Sequence, residues 1–350
     1  MSYQIIAADR IIDGQGNHTK TNELIARAKK LGLTTTVLEI VSLARRWEDK
    51  LTPNEFKSGA SAMAAINKAR KLIETGKSSV VVIRGLDHLR TSYTKEDRAK
   101  FMKLYGRKFT PLDGYTKLVT PFMQQNNIKE KQFLEIGEAL FENYFKTWSR
   151  LNPGAKLPDP RWFELITKYF RGVDCANPNI DYSGQLIMTD EKGAELLKVP
   201  KKERVTILGN AFTKLSVDGF ESIPKIAPYL HLHRTINKAL NEAQIDFKGE
   251  FLKGRALLEA YTCYPVVPMA LLLKLGLVSH LTQVPEFLKK YEVTITGGLN
   301  LARAPWNLTS LNYLIAMREI LINSKFHKYG LVHGNGSLGN QQGITILGKN

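Results

Sequence analysis

The sequence predicts an α/β fold, and two observations carry that prediction. Short apolar runs rich in β-branched residues alternate with segments of helical period along most of the 350 residues. Near the C-terminus, a glycine pair at 297–298 and a glycine-bearing loop at 334–339 follow predicted strands. Glycine lets the backbone approach a ligand where a Cβ would block it, so these turns indicate a ligand site at strand ends.

The first ninety residues alternate between strands and helices. Strands are predicted at 4–12, 34–41 and 79–83, and helices at 22–31 and 58–74. The strand at 79–83 is a continuous β-branched run, which is typical of a strand covered on both faces. The helix at 58–74 opens with small residues and ends at Thr75 and Gly76, a common helix stop signal.

The character of the chain changes between residues 91 and 175. Charged and aromatic residues dominate there, strand signals vanish, and helices are predicted at 117–125 and 129–151. A loop rich in proline and glycine follows at 152–160. We interpret this region as an inserted, mostly helical subdomain.

The α/β pattern then resumes and runs to the C-terminus. Predicted strands lie at 181–189, 204–209, 256–261, 293–296, 329–332 and 343–347, and predicted helices start at Asp190 and span 224–243, 265–275 and 308–322. Residues 58–83 and 308–332 echo each other as a helix followed by a buried strand. The predicted organisation is an N-terminal half at 1–90 and 176–210, a helical insertion at 91–175, and a C-terminal half at 211–350.

The chain is strongly basic, with a net charge of +17 and a pI near 9.7. Because the lysines and arginines are spread over the whole sequence, without zinc-finger spacing or a basic heptad, diffuse surface charge is favoured over nucleic-acid binding. Phosphate binding by a nucleotide-like ligand is a second possible cause.

The sequence also bears on location and on metal or disulfide chemistry. The longest apolar run, 265–278, is too short to span a bilayer, and the N-terminus lacks a signal-peptide pattern. We therefore expect a cytoplasmic protein without membrane insertion. Two cysteines, Cys175 and Cys263, cannot build a disulfide framework or a cysteine metal site, and no metal is expected.

Four segments, in order, resemble the thiolase superfamily, in particular its degenerate acetyl-CoA acetyltransferase-like and sterol-carrier-type members. Residues 58–88 are similar to the nucleophile helix and its following strand, and 181–189 to the Ser-Asp-Gly-Ala-Ala-Ala strand. Residues 259–264 are similar to the Glu-x-His-Asp-Cys-Phe motif, and 293–347 to the Gly-Gly-x-x-x-x-Gly-His-Pro segment with its helix and terminal glycine loop. The resemblance implies two similar αβαβα halves with a helical insertion, coenzyme A or acyl-CoA as ligand, and a homodimer.

The resemblance also shows where this chain departs from the family pattern. The position of the nucleophilic cysteine falls on Gly59, beside Ser58, and the position of the base histidine falls on Ala304. Tyr261 stands where the family has the histidine of its Cys-Phe motif. The second catalytic cysteine falls on Val332, next to His333. The nucleophile and base of ordinary thiolase chemistry are thus replaced.

Four residues are therefore candidates for chemistry, each with a structural alternative. Ser58 is a surrogate nucleophile or, as favoured, a helix N-cap; Cys263 is a reactive thiol or, as favoured, a small core residue. For Tyr261 the choice between an acid/base group and a packed aromatic is open. For His333 the choice between a proton carrier and a surface loop histidine is open too. Ligand-binding glycines are predicted at Gly297, Gly298, Gly334 and Gly336.

Three functions from different classes follow from the resemblance. The first is an acyl-CoA-handling acyltransferase of lipid metabolism with replaced catalytic residues. The second is an aldolase that cleaves a CoA thioester through Tyr261, with His333 as a further candidate and a small OB-fold partner protein. The third is a non-catalytic thiolase-like subunit.

Overall fold

The computed structural model describes residues 2–45, 49–103 and 109–349. The strands are β1 Tyr3–Ile12, β2 Gln15–Gly16, β3 Thr35–Ile40, β4 Glu55–Phe56, β5 Val80–His88, β6 Asp181–Asp190, β7 Val205–Lys214, β8 Ala256–Glu259, β9 Tyr329–Gly336 and β10 Gln341–Lys349. The α-helices are α1 Thr19–Lys30, α2 Ser61–Glu74, α3 Lys95–Phe101, α4 Pro111–Gln125, α5 Glu130–Leu151, α6 Glu191–Leu196, α7 Ile223–Ile226, α8 Leu230–Ala243, α9 Phe247–Leu252, α10 Val266–Lys274, α11 Val284–Lys290, α12 Gly298–Leu301 and α13 Thr309–Asn323.

The strands form one sheet in which the same topology occurs twice. The strand order is β4-β3-β5-β6-β1-β7-β10-β9-β8, with β2 attached to β1. In the first half, β3-β5-β6-β1 has one parallel pair, β3 with β5, followed by antiparallel pairs. In the second half, β8-β9-β10-β7 repeats this arrangement, with β8 parallel to β9. The two halves meet in a short antiparallel pairing of β1 with β7.

Helices lie between the halves and outside them. The helices α2 and α13 touch each other, and each touches strands of both halves. Helix α13 is buried on nearly all sides, as expected for a helix whose apolar residues are not confined to one stripe. Outside the first half, α1 and α6 pack on β1 and β6, and α8 packs on β7 and β10 outside the second. The predicted αβαβα architecture is thereby confirmed.

Helices lie between β5 and β6, as predicted, but α4 begins six residues before the predicted start. Its N-terminus is fixed by a capping box, in which the Thr110 hydroxyl accepts from the Asp113 amide at 3.3 Å and the Asp113 carboxylate accepts from the Thr110 amide at 2.8 Å. Pro111 occupies the first helical position, where a backbone N–H would have no acceptor within the helix, so proline loses no hydrogen bond there. None of the described helices is long and apolar enough to cross a membrane.

Two predictions about the C-terminal region are wrong. Residues 293–296 form no strand, because the Glu259 carboxyl group, and not a neighbouring strand, accepts from the Ile295 amide at 2.5 Å and the Thr296 amide at 3.1 Å. The predicted loop at 334–339 is half strand, because β9 continues to residue 336 and only 337–340 form the turn. Gly334 allows β9 to pack closely against α2, because a Cβ at this position would lie 2.9 Å from the Met63 sulfur of α2.

Candidate functional site

A cavity of about 390 Å³, the first cavity below, lies where the segments preceding α2 and α13 meet the insertion. It is bordered by the α4 N-terminus, the segment after β8, the end of β9 and the turn that follows it. The lining residues are Ser58, Gly59, Ala99, Met102, Lys103, Thr110, Pro111, Leu112, Tyr115, Ala176, Pro178, Tyr261, Cys263, Tyr264, Ala304, Trp306, Asn307, Asn335 and Ser337.

The first cavity brings together five of the positions that the sequence singled out. Ser58, Gly59, Tyr261, Cys263 and Ala304 all line it, although they come from three distant parts of the chain. His333 and the four predicted ligand-binding glycines, Gly297, Gly298, Gly334 and Gly336, do not line it. The resemblance therefore located the wall of the cavity better than the glycine pattern did.

The Tyr261 phenol occupies the space that a side chain at position 59 would need. A Cβ on Gly59 would lie 2.2 Å from the Tyr261 hydroxyl oxygen and 2.3 Å from the Asn335 carbonyl oxygen. Neither neighbour yields easily, because one belongs to a rigid ring and the other to the backbone. A cysteine at position 59 is incompatible with this packing.

Tyr261 is a hydrogen-bond donor rather than a base at neutral pH. Its side chain is buried, and its ring lies edge-on to Tyr313 and His333, with centroids 6.3 and 6.5 Å away. Burial, together with the nearby Cys263, raises the pKa of Tyr261 well above its ordinary value, and the Thr309 hydroxyl opposes the rise only in part. The phenol therefore keeps its proton.

Cys263 has the environment of a core thiol. Its Sγ donates to the Tyr115 hydroxyl at 3.7 Å and accepts from the Asn335 side-chain amide at 3.7 Å. Burial raises the pKa of Cys263 to about 12, so the thiolate that a nucleophile needs is not populated at neutral pH. These contacts agree with the structural role that was favoured.

Ser58 is not the N-cap of α2, because the cap position is Ala60 and the helix starts at Ser61. Its backbone φ of 137° is strained for a residue with a Cβ. The Ser58 hydroxyl donates to the Gln341 side-chain oxygen at 2.8 Å and accepts from the Ala60 amide at 3.3 Å. Its proton thus goes to an amide oxygen and not to a base, so nothing in these contacts activates it as a nucleophile.

His333 is fully buried, so the surface-loop alternative is wrong. Its Nε2 donates to the Gln342 side-chain oxygen at 2.8 Å, and the Gln342 amide donates to the Asn335 oxygen at 2.7 Å and the Gly339 carbonyl at 2.8 Å. Because both of these partners are acceptors, the orientation of Gln342 and the Nε2–H tautomer of His333 are fixed. Burial lowers the pKa of His333 to about 4, so the ring is neutral.

This hydrogen-bonded chain connects His333 to the first cavity through Asn335. The Asn335 amide donates to the Tyr115 hydroxyl at 2.8 Å, and that hydroxyl donates to the Ser337 carbonyl at 3.2 Å. Tyr115 stacks on Tyr264 with the ring centroids 4.2 Å apart. Besides its ring contact with Tyr261, His333 is linked to the cavity by hydrogen bonds through two amide side chains, and an amide acts as neither acid nor base at neutral pH.

Three lining residues of note, Tyr115, Tyr264 and Asn335, were not proposed as site residues from the sequence. Tyr115 lies in the insertion, 146 positions before Tyr261, and nothing in its local sequence marks it. Asn335 could have been identified from the sequence, because it lies between Gly334 and Gly336 in the segment predicted as a ligand-binding loop. Tyr264 lies in the segment 259–264 that resembles the Glu-x-His-Asp-Cys-Phe motif, but only Tyr261 and Cys263 of that segment were candidates.

The titratable groups among the described lining residues are Lys103, Tyr115, Tyr261, Cys263 and Tyr264. No carboxylate or imidazole lines the described part of the cavity. Burial raises the pKa of the three tyrosines and the cysteine. At neutral pH the described wall therefore offers hydrogen-bond donors and apolar surface, without a carboxylate or histidine base.

Among the comparisons with known proteins, the one with solved structures identifies the fold. No family model and no curated protein matches this chain in sequence. A monomeric SCP2-thiolase-like protein type 1 from Mycobacterium smegmatis superposes with a TM-score of 0.71 at 16% identity, over 99% of this chain and 77% of that chain. The fold of this chain is thiolase-like.

Two further solved structures extend that finding. The Ltp2–ChsH2(DUF35) aldolase superposes with a TM-score of 0.64 at 14% identity, over 99% of this chain and 98% of that chain. An acetyl-CoA acetyltransferase from Syntrophomonas wolfei gives 0.61 at 12% identity, over 100% and 99%. Likeness at this level of identity shows the fold alone, and confirms the sequence resemblance at that level.

Proposed function

We propose that the first cavity binds the acyl end of a thioester, such as an acyl-CoA, and that the chain forms no acyl-enzyme. The observation that carries this proposal is the contact between Gly59 and Tyr261. With the phenol within 2.2 Å of any Cβ at position 59, the nucleophile position of the thiolase pattern holds a hydroxyl that keeps its proton.

In this proposal Tyr261 donates its hydrogen bond to the thioester carbonyl oxygen. A protonated phenol in a largely apolar cavity is suited to that role, because a hydrogen bond is stronger where water is excluded. Met102, Leu112 and Trp306 supply apolar surface for the acyl group. Ala304, at the position of the family's base, supplies a methyl group and no proton acceptor.

The proposed role is ligand binding and not acyl transfer. Acyl transfer through the enzyme needs a nucleophile paired with a base. Cys263 is held as a thiol and the Ser58 proton is directed at Gln341. Neither meets this requirement.

Cleavage of a β-hydroxyacyl thioester is the second candidate, and Tyr261 is the residue that favours it. In a retro-aldol step a base takes the β-hydroxyl proton, the Cα–Cβ bond breaks to leave an aldehyde or ketone, and the electron pair forms a thioester enolate. Tyr261 would donate to the enolate oxygen. The base comes from outside the described lining, and in this candidate a small OB-fold partner supplies it.

Isothermal titration with coenzyme A and acetyl-CoA tests the proposal. We expect micromolar binding of acetyl-CoA, weakened about fivefold by Tyr261→Phe, as for loss of one hydrogen bond. Tyr313→Phe is the matched control, because its buried hydroxyl has no hydrogen-bond partner within the described structure. Leu112→Trp should abolish binding by filling the cavity.

Two companion measurements separate the candidates. Intact-mass spectrometry after incubation with acetyl-CoA should show an unmodified chain. Release of acetyl-CoA from a β-hydroxyacyl-CoA, lost in Tyr261→Phe, would favour the lyase over the binding protein. Absence of binding to both coenzyme A and acetyl-CoA would contradict the proposal.

A further inference from the structure

Strained backbone is concentrated around the first cavity. Three of its lining residues, Ser58, Trp306 and Ser337, have positive φ values of 137°, 47° and 56°, although none is glycine. Positive φ is uncommon for a residue with a Cβ and is a clear outlier for a bulky one. Such strain persists where the surrounding structure imposes it, and it clusters at functional sites. Trp306 is the bulkiest of the three, so its placement most needs a functional reason.

The turn that carries Trp306 is held by hydrogen bonds on its C-terminal side. The Thr309 hydroxyl donates to the Trp306 carbonyl at 2.9 Å. The Asn307 side chain, only 2% exposed, donates to the Val41 carbonyl at 2.9 Å. These contacts fix the backbone next to the indole, so the strained conformation belongs to the folded wall of the cavity.

The indole of Trp306 is supported from outside the cavity. It packs against a small apolar cluster of Leu43, Leu89 and Ile180, and it lines the first cavity as well. Because the side chain is only half-buried, packing on the cluster does not use its whole surface. The cluster thus holds the indole as a platform at the cavity wall.

Two more aromatic rings form a rigid part of the same lining. Tyr115 and Tyr264 stack with their ring centroids 4.2 Å apart and an interplanar angle of 21°. Phe170 packs on Tyr264 with centroids 5.3 Å apart, and the Tyr115 hydroxyl is held by the Asn335 amide at 2.8 Å and the Ser337 carbonyl at 3.2 Å. Rings that are already fixed lose little side-chain freedom when a ligand stacks on them.

The aliphatic part of the described lining is small. It consists of Ala99, Ala176 and Ala304, with Met102, Leu112 and two prolines, and it holds no valine or isoleucine. The main apolar surface is therefore aromatic. Aromatic side chains gain from offset or edge-on contacts with another ring, beyond the gain from burying area. This lining is suited to a flat ring better than to an alkyl chain.

We propose that the acyl group bound in the first cavity carries an aromatic ring, as in a benzoyl thioester, and that Trp306 selects it by ring contact. The inference rests on the proposed function, since it names the acyl group of the same thioester. The ring lies against the Trp306 indole and the Tyr115–Tyr264 pair, and the thioester carbonyl accepts from Tyr261.

Isothermal titration with benzoyl-CoA and cyclohexanecarbonyl-CoA tests the inference, because the two acyl groups have the same heavy atoms and differ in flatness and aromaticity. We expect benzoyl-CoA to bind about fivefold more tightly. Burial of apolar area alone would favour the saturated ring. Equal binding, tighter binding of cyclohexanecarbonyl-CoA, or failure of both to bind while acetyl-CoA binds would overturn the inference and leave the proposed function standing. Absence of binding to coenzyme A, acetyl-CoA and both ring thioesters would instead contradict the proposed function.

Trp306→Leu should bring the affinity ratio of the two ring thioesters close to one, a change that general destabilisation does not produce. Trp162→Leu is the matched control and should leave the ratio unchanged, because Trp162 lines a second cavity, of about 600 Å³, and not the first. Tyr264→Leu leaves the strained turn intact and should lower the ratio too, so it serves if Trp306→Leu does not fold. A ratio that Trp306→Leu leaves unchanged would overturn the role of Trp306.

Discussion

Gly59 and Tyr261 act as a pair, because each permits the conformation of the other. Any Cβ at position 59 meets the Tyr261 phenol and the Asn335 carbonyl at distances that real contacts do not show. At the residue scale, the replacement of a nucleophile by glycine is therefore coupled to the tyrosine that fills its place. Comparison with the family pattern gives Gly59 and Tyr261 as two separate substitutions. Only the structure shows that the Tyr261 phenol fills the space that a side chain at position 59 would occupy.

The first prediction concerns Gly59→Ala. We expect it to lower the free energy of unfolding by about 1–3 kcal/mol, the range for overpacking a well-packed site. Urea denaturation measures the change. In a Tyr261→Ala background, which is itself destabilised by the lost ring, Gly59→Ala should cost less than in the unchanged chain, but still something, because the Asn335 carbonyl remains in the way. An unchanged free energy of unfolding for Gly59→Ala would show that Tyr261 and Asn335 pack less tightly around position 59 than described.

A second residue-scale prediction concerns the pH dependence of stability. Burial raises the pKa of Glu259 from 4.5 to about 8, against the opposing hydrogen bonds from Ile295 and Thr296. At a pH between 4.5 and about 8, the Glu259 carboxyl stays protonated in the folded chain and is ionised in the unfolded chain. The contribution of Glu259 to stability is thus fully present below pH 4.5 and falls as the pH rises toward 8.

Glu259→Gln should remove that slope. Its amide oxygen accepts from the Ile295 and Thr296 amides as the carboxyl does, and its NH₂ donates to the Thr296 hydroxyl. Relative to the unchanged chain, the variant should become progressively more stable as pH rises from about 5 to 8. Thermal unfolding at several pH values measures this, and parallel curves for the two chains would contradict it.

At the scale of single elements, the strength of the local signal decides what the sequence could predict. The β-branched run at 79–83 and the apolar period of α13 lead to correct assignments, because burial on all sides leaves a continuous pattern. The segment 293–296 resembles a strand in sequence, but its Ile295 and Thr296 amides donate to the Glu259 carboxyl group, which is a tertiary contact. Gly334 looks like a loop residue because its packing against α2 is invisible in the sequence.

Helix α5 offers a test at this scale that also serves as a control for Gly59. Gly137 is a buried glycine within α5, and a Cβ there would meet only the Pro265 ring, at 4.0 Å. Gly137→Ala should raise the free energy of unfolding by roughly 0.5–1 kcal/mol, through helix propensity and a smaller entropy of the unfolded chain. Destabilisation in the same urea assay would contradict the packing described around α5.

At the scale of the whole molecule, the two halves are joined mainly through helices. Within the described residues, their direct strand pairing consists of Gln4 with Thr206 and Ile5 with Val205. The larger connection is made by α2 and α13, which pack on strands of both halves. The sequence indicated the repeat through its helix–strand order. The shared central helices emerge only from the fold, because they depend on contacts between distant segments.

This arrangement predicts a single cooperative unfolding transition. Neither half keeps its inner face covered once α2 and α13 are lost. Urea curves followed by far-ultraviolet circular dichroism and by tryptophan fluorescence should therefore coincide. Two separated transitions would show that the halves fold independently. The domain boundaries and the homodimer implied by the resemblance remain predictions.

The central claim is that a thioester binds in the first cavity with its carbonyl at Tyr261 and without a covalent intermediate. A crystal structure of the chain with acetyl-CoA tests it most directly. We expect an intact thioester whose carbonyl oxygen lies within hydrogen-bond distance of the Tyr261 hydroxyl, beside Gly59. An acetyl group covalently attached to Ser58 or Cys263, or a ligand bound outside this cavity, would contradict it.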